Sequence, residues 1–368
     1  MREKSRVVLP VIISVVIFLA ILAPIRLSSQ TADTQTLKTL SGKELTVAEV
    51  DGFLNSQMNS LGLPGLSIAI INDAHVVYYR VLGITNVETK QKVTEDTLFD
   101  AGSMSKTPFT LLVMKTVEQG TLSLDQPLYT YLPNLDIAYD DRYKLITARM
   151  VLSHTSGLPN WRFLNKDGKL DIKFTPGTQY LYSGEGFQYL ADVVAHLKNL
   201  QKNGLQELFE KEVATPLGMQ QAHYVWNDYV AKHKATGHVD GKVSWGWGMS
   251  VEKPDFAAAY SLQTEAMSYS KLLIAMIREE GLKKKTYDTM LKAQVKTPTD
   301  SVSYGLGIMV KPSEFGNEYM HDGYDRNFYS AFMFNKDHRF GYVFFTNCGE
   351  NGADFNKKLE PFLTNGDR

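Results

Sequence analysis

Three Ser-x-x-Lys spacings occur in the chain, at Ser103 and Lys106, Ser250 and Lys253, and Ser268 and Lys271. A serine and a lysine three residues apart on a helix share a face, so a neutral lysine there can take the serine proton and free a nucleophile for acyl transfer. At least two of the three must be accidental. Ser103 follows the β-like Thr97-Leu98-Phe99-Asp100 and the flexible Ala101-Gly102, and it opens a helical pattern. Its hydroxyl therefore falls in the positive field of a helix N-terminus, which favours a deprotonated nucleophile beside a neutral lysine. Lys106 is expected to accept the proton if burial depresses its pKa, a shift lysine permits and arginine does not. By itself such a pair is ordinarily a surface pair.

Other chemistries find little support. The eight histidines include no His-Glu-x-x-His, and His233 and His238 stand five apart, off the helical ligand spacing, so no metal is expected. Neither a phosphate-binding GxxxxGK[ST] loop nor a GxGxxG after a strand is present, and Gly305-Leu306-Gly307 is only a fragment, so no nucleotide or other cofactor is expected. The GxSxG elbow of the α/β-hydrolases is missing too. With 39 basic and 40 acidic residues the net charge is -1, which offers no field for a nucleic acid. Hydrophobic residues make up 43% and charged ones 21%, enough apolar material for a large core, and the single cysteine excludes an internal disulfide.

Further along, Val151-Leu152-Ser153-His154-Thr155-Ser156-Gly157-Leu158, then Pro176-Gly177 leading to Tyr182-Ser183-Gly184, then His321-Asp322-Gly323 follow the Ser103 segment in order. Together with Asp100 to Lys106 they resemble the ordered motifs of the serine β-lactamase and penicillin-binding-protein superfamily, and most closely its class C-like branch of exported serine hydrolases. The resemblance covers about residues 44 to 364, and the order of the motifs is more specific than any one of them. It implies an α+β, α/β/α-layered fold of the β-lactamase/transpeptidase type and an acyl-enzyme on Ser103, with Lys106 as first proton partner. Tyr182 matches the second motif's tyrosine, a general base or proton shuttle, and His321 and Gly323 match the ends of the third motif, which lines the cleft opposite the serine. The backbone N–H groups of Ser103 and Tyr324 would form the oxyanion hole. If Tyr182 works as a phenolate, a charged Lys106 and a charged His321 must favour that form.

One position departs from the pattern: the second motif usually reads Tyr-x-Asn, and here Gly184 takes the third place. The amide's role is therefore not carried over, and the glycine is read as open space for a bulkier substrate. Glu185 either reaches in with its carboxylate or, as the plainer reading, sits exposed at a helix start. Arg326, after the third motif, either clamps a substrate carboxylate or belongs to a solvated turn. His154 is read as structural, Cys348 as a small buried hydrophobe, and Trp245 and Trp247 as cleft wall or core. The implied substrate is an amide or ester: a D-amino-acid peptide, a β-lactam or a simple ester. From a different class, the alternative is a non-catalytic relative that binds peptides or cell-wall fragments, which only Gly184 favours.

The elements that must position these residues are legible in outline. Val47 to Leu61 reads as an amphipathic helix, Leu66 to Ile71 and Val76 to Leu82 as a hairpin, and Lys106 to Gly120 as a helix closed by a glycine. Leu122 to Val151 mixes short helices and loops. Glu318 to Asp322, Phe328 to Asn335 and Arg339 to Cys348 read as strands, followed by a helical pattern from Ala353 to Leu363. An antiparallel sheet thus draws on both chain ends, with a helical lobe between, and the cleft is expected where lobe meets sheet. Residues 44–368 form one domain in this reading, after a polar tether at 30–43. Arg2, Lys4 and Arg6 precede the uncharged run from Val7 to Ile25, 19 residues that as a helix span about 28 Å. Residues 1–29 are thus an anchor or a signal peptide, with the anchor favoured because no good small-x-small cleavage site follows. The positive flank leaves the N-terminus in the cytoplasm and the domain outside, tethered to the membrane or secreted if cleaved.

Overall fold

The computed structural model describes residues 36–244, 255–299 and 301–367. Thr46 starts the first helix, α1 (Val47–Leu61), by a reciprocal cap in which its hydroxyl accepts from the Glu49 N–H while the Glu49 carboxylate accepts from the Thr46 N–H. Gly62, with a φ of 63°, ends it in the left-handed conformation. The chain then forms β1 (Gly65–Asn72) and β2 (His75–Gly83), joined by Asp73 and Ala74, both at positive φ as a tight right-twisting hairpin requires. The lobe follows, with α2 (Lys106–Glu118), α3 (Gly184–Leu197) and several single helical turns, and then α4 (Ala266–Arg278). Six strands come next: β3 (Val295–Lys296), β4 (Ser303–Tyr304), β5 (Met309–Ser313), β6 (Gly316–Tyr324), β7 (Tyr329–Asn335) and β8 (Phe340–Thr346). The chain closes with α5 (Gly349–Asn365).

All eight strands join one antiparallel sheet in the order β3-β4-β5-β6-β7-β8-β1-β2, so the two chain ends meet at the β8–β1 pair. Its central strands are buried on both faces, and their period of two divides residues between two cores rather than between core and solvent. Leu66, Ile68 and Ile70 of β1 and Tyr342 and Phe344 of β8 face α1 and α5, where Phe53 stacks on Phe362 at 3.9 Å. Ala69, Ile71, Val343 and Phe345 face α4 and the lobe. The result is the expected layering of helices, antiparallel sheet and helices.

One boundary and three short strands differ from the sequence reading. Thr36–Lys38, inside the stretch read as tether, pairs antiparallel with Glu44–Thr46, and Leu37 and Leu40 are buried beneath α5 because three strand residues and two leucines suffice to add a flap to an existing core. The short strands β3, β4 and β5 carry too few residues, and in β5 a proline, for a periodic signal. No described helix is long and apolar enough to cross a membrane, and the run from Val7 to Ile25 lies outside the described residues.

Candidate active site

Ser103 lies not in the helix proper but in a 3₁₀ turn, Gly102–Ser105, that feeds directly into α2. In a 3₁₀ turn residues i and i+3 eclipse, which brings the Lys106 Nζ to 3.1 Å from the Ser103 Oγ. The turn is bolted from several sides. The Tyr269 hydroxyl donates to the Met104 carbonyl at 2.9 Å, the Ser330 hydroxyl to Ala101 at 2.9 Å, and the Ser105 hydroxyl accepts from the Leu262 N–H at 3.0 Å. Ser103 itself is half-buried, so its hydroxyl opens toward a cavity of about 250 Å³.

Lys106 is fully buried, and desolvation lowers its pKa to about 7 although the nearby Asp322 carboxyl pulls the other way. Its Nζ also donates to the Ala259 carbonyl at 2.9 Å and lies 4.7 Å from the centre of the Tyr182 ring. The structure thus brings Ser103 and Lys106 together, with burial pushing the lysine toward its neutral form. Of the other two pairs, Ser268 accepts from the Gln221 N–H at 3.0 Å on α4, and Lys271 lines a different cavity. Ser250 and Lys253 lie outside the described residues, as do Trp245 and Trp247.

Tyr182 and His321 sit on either side of the same cavity, but not in the ionisation states expected of them. Burial pushes the Tyr182 phenol well above its usual range, with only a hydrogen bond toward Ser103 drawing it down. His321 is held at a pKa of about 3, first by desolvation and then by the Lys106 charge. Its Nδ1 faces the Asp322 carbonyl at 2.7 Å and must therefore donate, which leaves Nε2 to accept from the Tyr304 hydroxyl at 2.7 Å. A neutral His321 and a protonated Tyr182 are thus favoured over the charged forms expected, because burial is the largest cause at both and the Lys106 charge adds to it at His321. His154 has the structural role read for it: at a φ of 57° its Nδ1 accepts from the Ser183 N–H at 3.0 Å, and its ring packs 4.2 Å from that of Tyr182.

Beyond Met320 the strand β6 pairs with no described strand on the β5 side, and the Gly102–Ser105 turn fills that place. A Cβ added to Gly323 would stand 2.0 Å from the Ala101 carbonyl oxygen, so only glycine lets the strand come this close. The same approach puts the Tyr324 nitrogen 3.2 Å from where a Gly102 Cβ would be, beside the Ser103 peptide. Arg326 is exposed on the following bend and is not among the residues lining the cavity.

The space at Gly184 is not open. A Cβ there would meet the Trp161 ring at 2.6 Å and the Asn160 carbonyl at 2.9 Å, so an indole occupies the place of the family amide. Trp161 in turn stands edge-on to Tyr260 at 5.5 Å, next to the Ala259 carbonyl that serves Lys106. Glu185 neither reaches the serine nor sits exposed: it is buried at 8% and accepts from the Arg162 guanidinium at 2.9 Å and from the Arg162 N–H at 3.0 Å. Gly184→Asn is therefore expected to destabilise the fold by about 1–3 kcal/mol through overpacking. A lower melting temperature, recovered in the double variant with Trp161→Ala, is the expected outcome. Tyr304, Trp161 and the Ala259 carbonyl were not singled out from the sequence, and no spacing marks them, while Asp322 was read only as the middle of the third motif.

A family model described as Beta-lactamase matches residues 50–360. The chain belongs to the Beta-lactamase family. Within it, Protein flp of Staphylococcus aureus strain MW2 is 22% identical over 321 residues, which cover 81% of this chain and 62% of that protein, so the chain spans about 62% of the length of this curated relative. A Beta-lactamase from Pseudomonas fluorescens is 29% identical over 181 residues, 46% of this chain and 49% of its own. Among solved structures, a penicillin-binding protein homologue from Pyrococcus abyssi superposes with a TM-score of 0.70 at 22% identity, covering 86% of this chain and 80% of its own. A penicillin binding protein from Bacillus halodurans gives 0.69 at 21% identity, covering 84% and 98%. The likeness in fold and the family match agree with the motif order read from the sequence.

Proposed function

We propose that this Beta-lactamase family member is a serine hydrolase that acylates Ser103 with an amide or ester substrate and releases the acyl group to water. The observation that carries the reading is a buried Lys106, with a pKa of about 7, bonded at 3.1 Å to the half-buried Ser103 hydroxyl. In the reaction the Ser103 Oγ attacks the substrate carbonyl and its proton passes to the neutral Lys106 Nζ. The carbonyl oxygen, now an oxyanion, takes hydrogen bonds from the N–H groups of Ser103 and Tyr324. Tyr182, as a neutral phenol, hands its proton to the leaving nitrogen or oxygen and is refilled from the Lys106 ammonium. The same groups run in reverse when water attacks the acyl-enzyme. A lysine paired this way also counts against a purely binding role, since burying it unpaired from chemistry has a cost in stability and no use.

The pH profile tests this. Lys106 must be neutral to accept the proton, so kcat/KM should rise about tenfold per unit below pH 7 and level off above it. His321 is neutral at every pH above about 3 and adds no limb of its own. Activity that falls as pH rises through 7 would rule out Lys106 as the base. For location, the proposal keeps the domain outside the cytoplasm behind the positively flanked run at 7–25. A reporter fused after residue 40 should then be exported, and its retention in the cytoplasm would refute this topology.

A further inference from the structure

We infer that the cleft selects acyl donors without a carboxylate near the scissile bond, neutral esters foremost, and rejects their anionic counterparts. This rests on the hydrolase reading above. An anionic substrate is held best by a cation in the cleft, and among the described residues the cavity beside Ser103 is lined by no lysine or arginine. Its walls are Tyr180, Tyr182, Tyr304 and Met309. Among the described residues the lysine in contact with the serine is Lys106, whose Nζ already serves Ser103 and the Ala259 carbonyl. His321 stands where a third-motif cation would be useful, but its Nε2 accepts from Tyr304 and its Nδ1 donates to its own strand, so neither nitrogen is left to hold an anion. Arg326, the candidate clamp, stays out on its exposed bend.

The sign of the field points the same way. Asp322 lines the cavity from β6 with its side chain on the α5 face beside Ala331, and its charge raises the pKa of Tyr180, Tyr182, Tyr304 and Lys106 alike, although burial raises its own. An incoming carboxylate would exchange water for tyrosine rings and a like charge. Like charges held in one cleft at an effective dielectric constant of about 20 disfavour binding by roughly 30-fold. An ester carbonyl and its alkyl or aryl group meet no such opposition, since the rings offer apolar contact and the hydroxyls at their tips can donate.

The test uses the full chain and two substrates with one leaving group: the p-nitrophenyl ester of adipic acid with its second carboxyl free, and the same compound with that carboxyl methylated. A fluorophosphonate probe runs alongside to report a folded, reactive Ser103. The methyl ester is expected to have a kcat/KM at least 30-fold above the acid. Met309→Arg, which puts a cation in the wall, and Asp322→Asn, which removes the negative charge, should each narrow that ratio while probe labelling persists. Equal rates on acid and ester in the labelled wild type overturn the selectivity and leave the hydrolase reading standing. So does a ratio unmoved in both variants. Absence of both labelling and ester hydrolysis overturns the hydrolase reading and the selectivity with it.

Discussion

Ser103→Ala is expected to abolish covalent labelling by an activated serine probe and to lower hydrolysis to background, with the melting temperature nearly unchanged. The effect on chemistry is total because the acyl-enzyme has no other oxygen to form on: Ser105, two residues on, is fully buried with its hydroxyl donating to the Gly102 carbonyl at 2.6 Å. The effect on stability is small because the Ser103 hydroxyl only receives a bond from Lys106, which keeps the Ala259 carbonyl at 2.9 Å as partner, while Met104, Ser105 and Ala101 hold the turn through other atoms. Intact labelling in Ser103→Ala, with labelling lost in Ser250→Ala or Ser268→Ala, would show that a different pair is the catalytic one. Mass analysis of the labelled peptide makes the assignment direct.

Tyr182→Phe carries the second-largest effect. The ring stays, with its 4.2 Å packing on His154 and its face under Lys106, and only the hydroxyl is removed. That hydroxyl is buried and forms no structural bond beyond its approach to Ser103, so its loss costs the fold little. Proton transfer to a leaving group by a positioned acid is commonly worth about two to four orders of magnitude, and kcat should fall by that factor. Because the phenol is neutral throughout the working range, the variant should keep the limb near pH 7 that belongs to Lys106. A variant that loses the limb instead would mean that Tyr182, not Lys106, titrates in the profile. Slowing should also be greater for amides than for p-nitrophenyl esters, since an amine leaves only after protonation, whereas nitrophenolate leaves without it.

The order of motifs from Ser103 to Gly323, the hairpin of β1 and β2, the helix after the serine and the three terminal strands were legible because each depends on local periodicity or on a short run of residues. Gly323 was read only as the end of the third motif, and the reason for a glycine there, the 2.0 Å a Cβ would leave to the Ala101 carbonyl oxygen, appears in the structure. What the sequence could not carry was what fills space and what loses water. Gly184 reads as a vacancy along the chain, yet Trp161, 23 residues earlier, lies in it because a loop tied by the Arg162 and Glu185 pair folds back over the helix start. Glu185 looks exposed by its type, and burial is affordable only because that guanidinium meets it.

Residue types and order by themselves determined the family, the candidate serine and lysine pair and the strands that frame it, since these follow from local spacing and from chemistry that few side chains can perform. Tertiary structure alone decided the protonation states and the character of the cleft. Lys106 near neutrality, an uncharged His321 and a protonated Tyr182 all follow from desolvation by neighbours far away in sequence, and a charge's energy depends on the water removed around it rather than on the residues beside it in the chain.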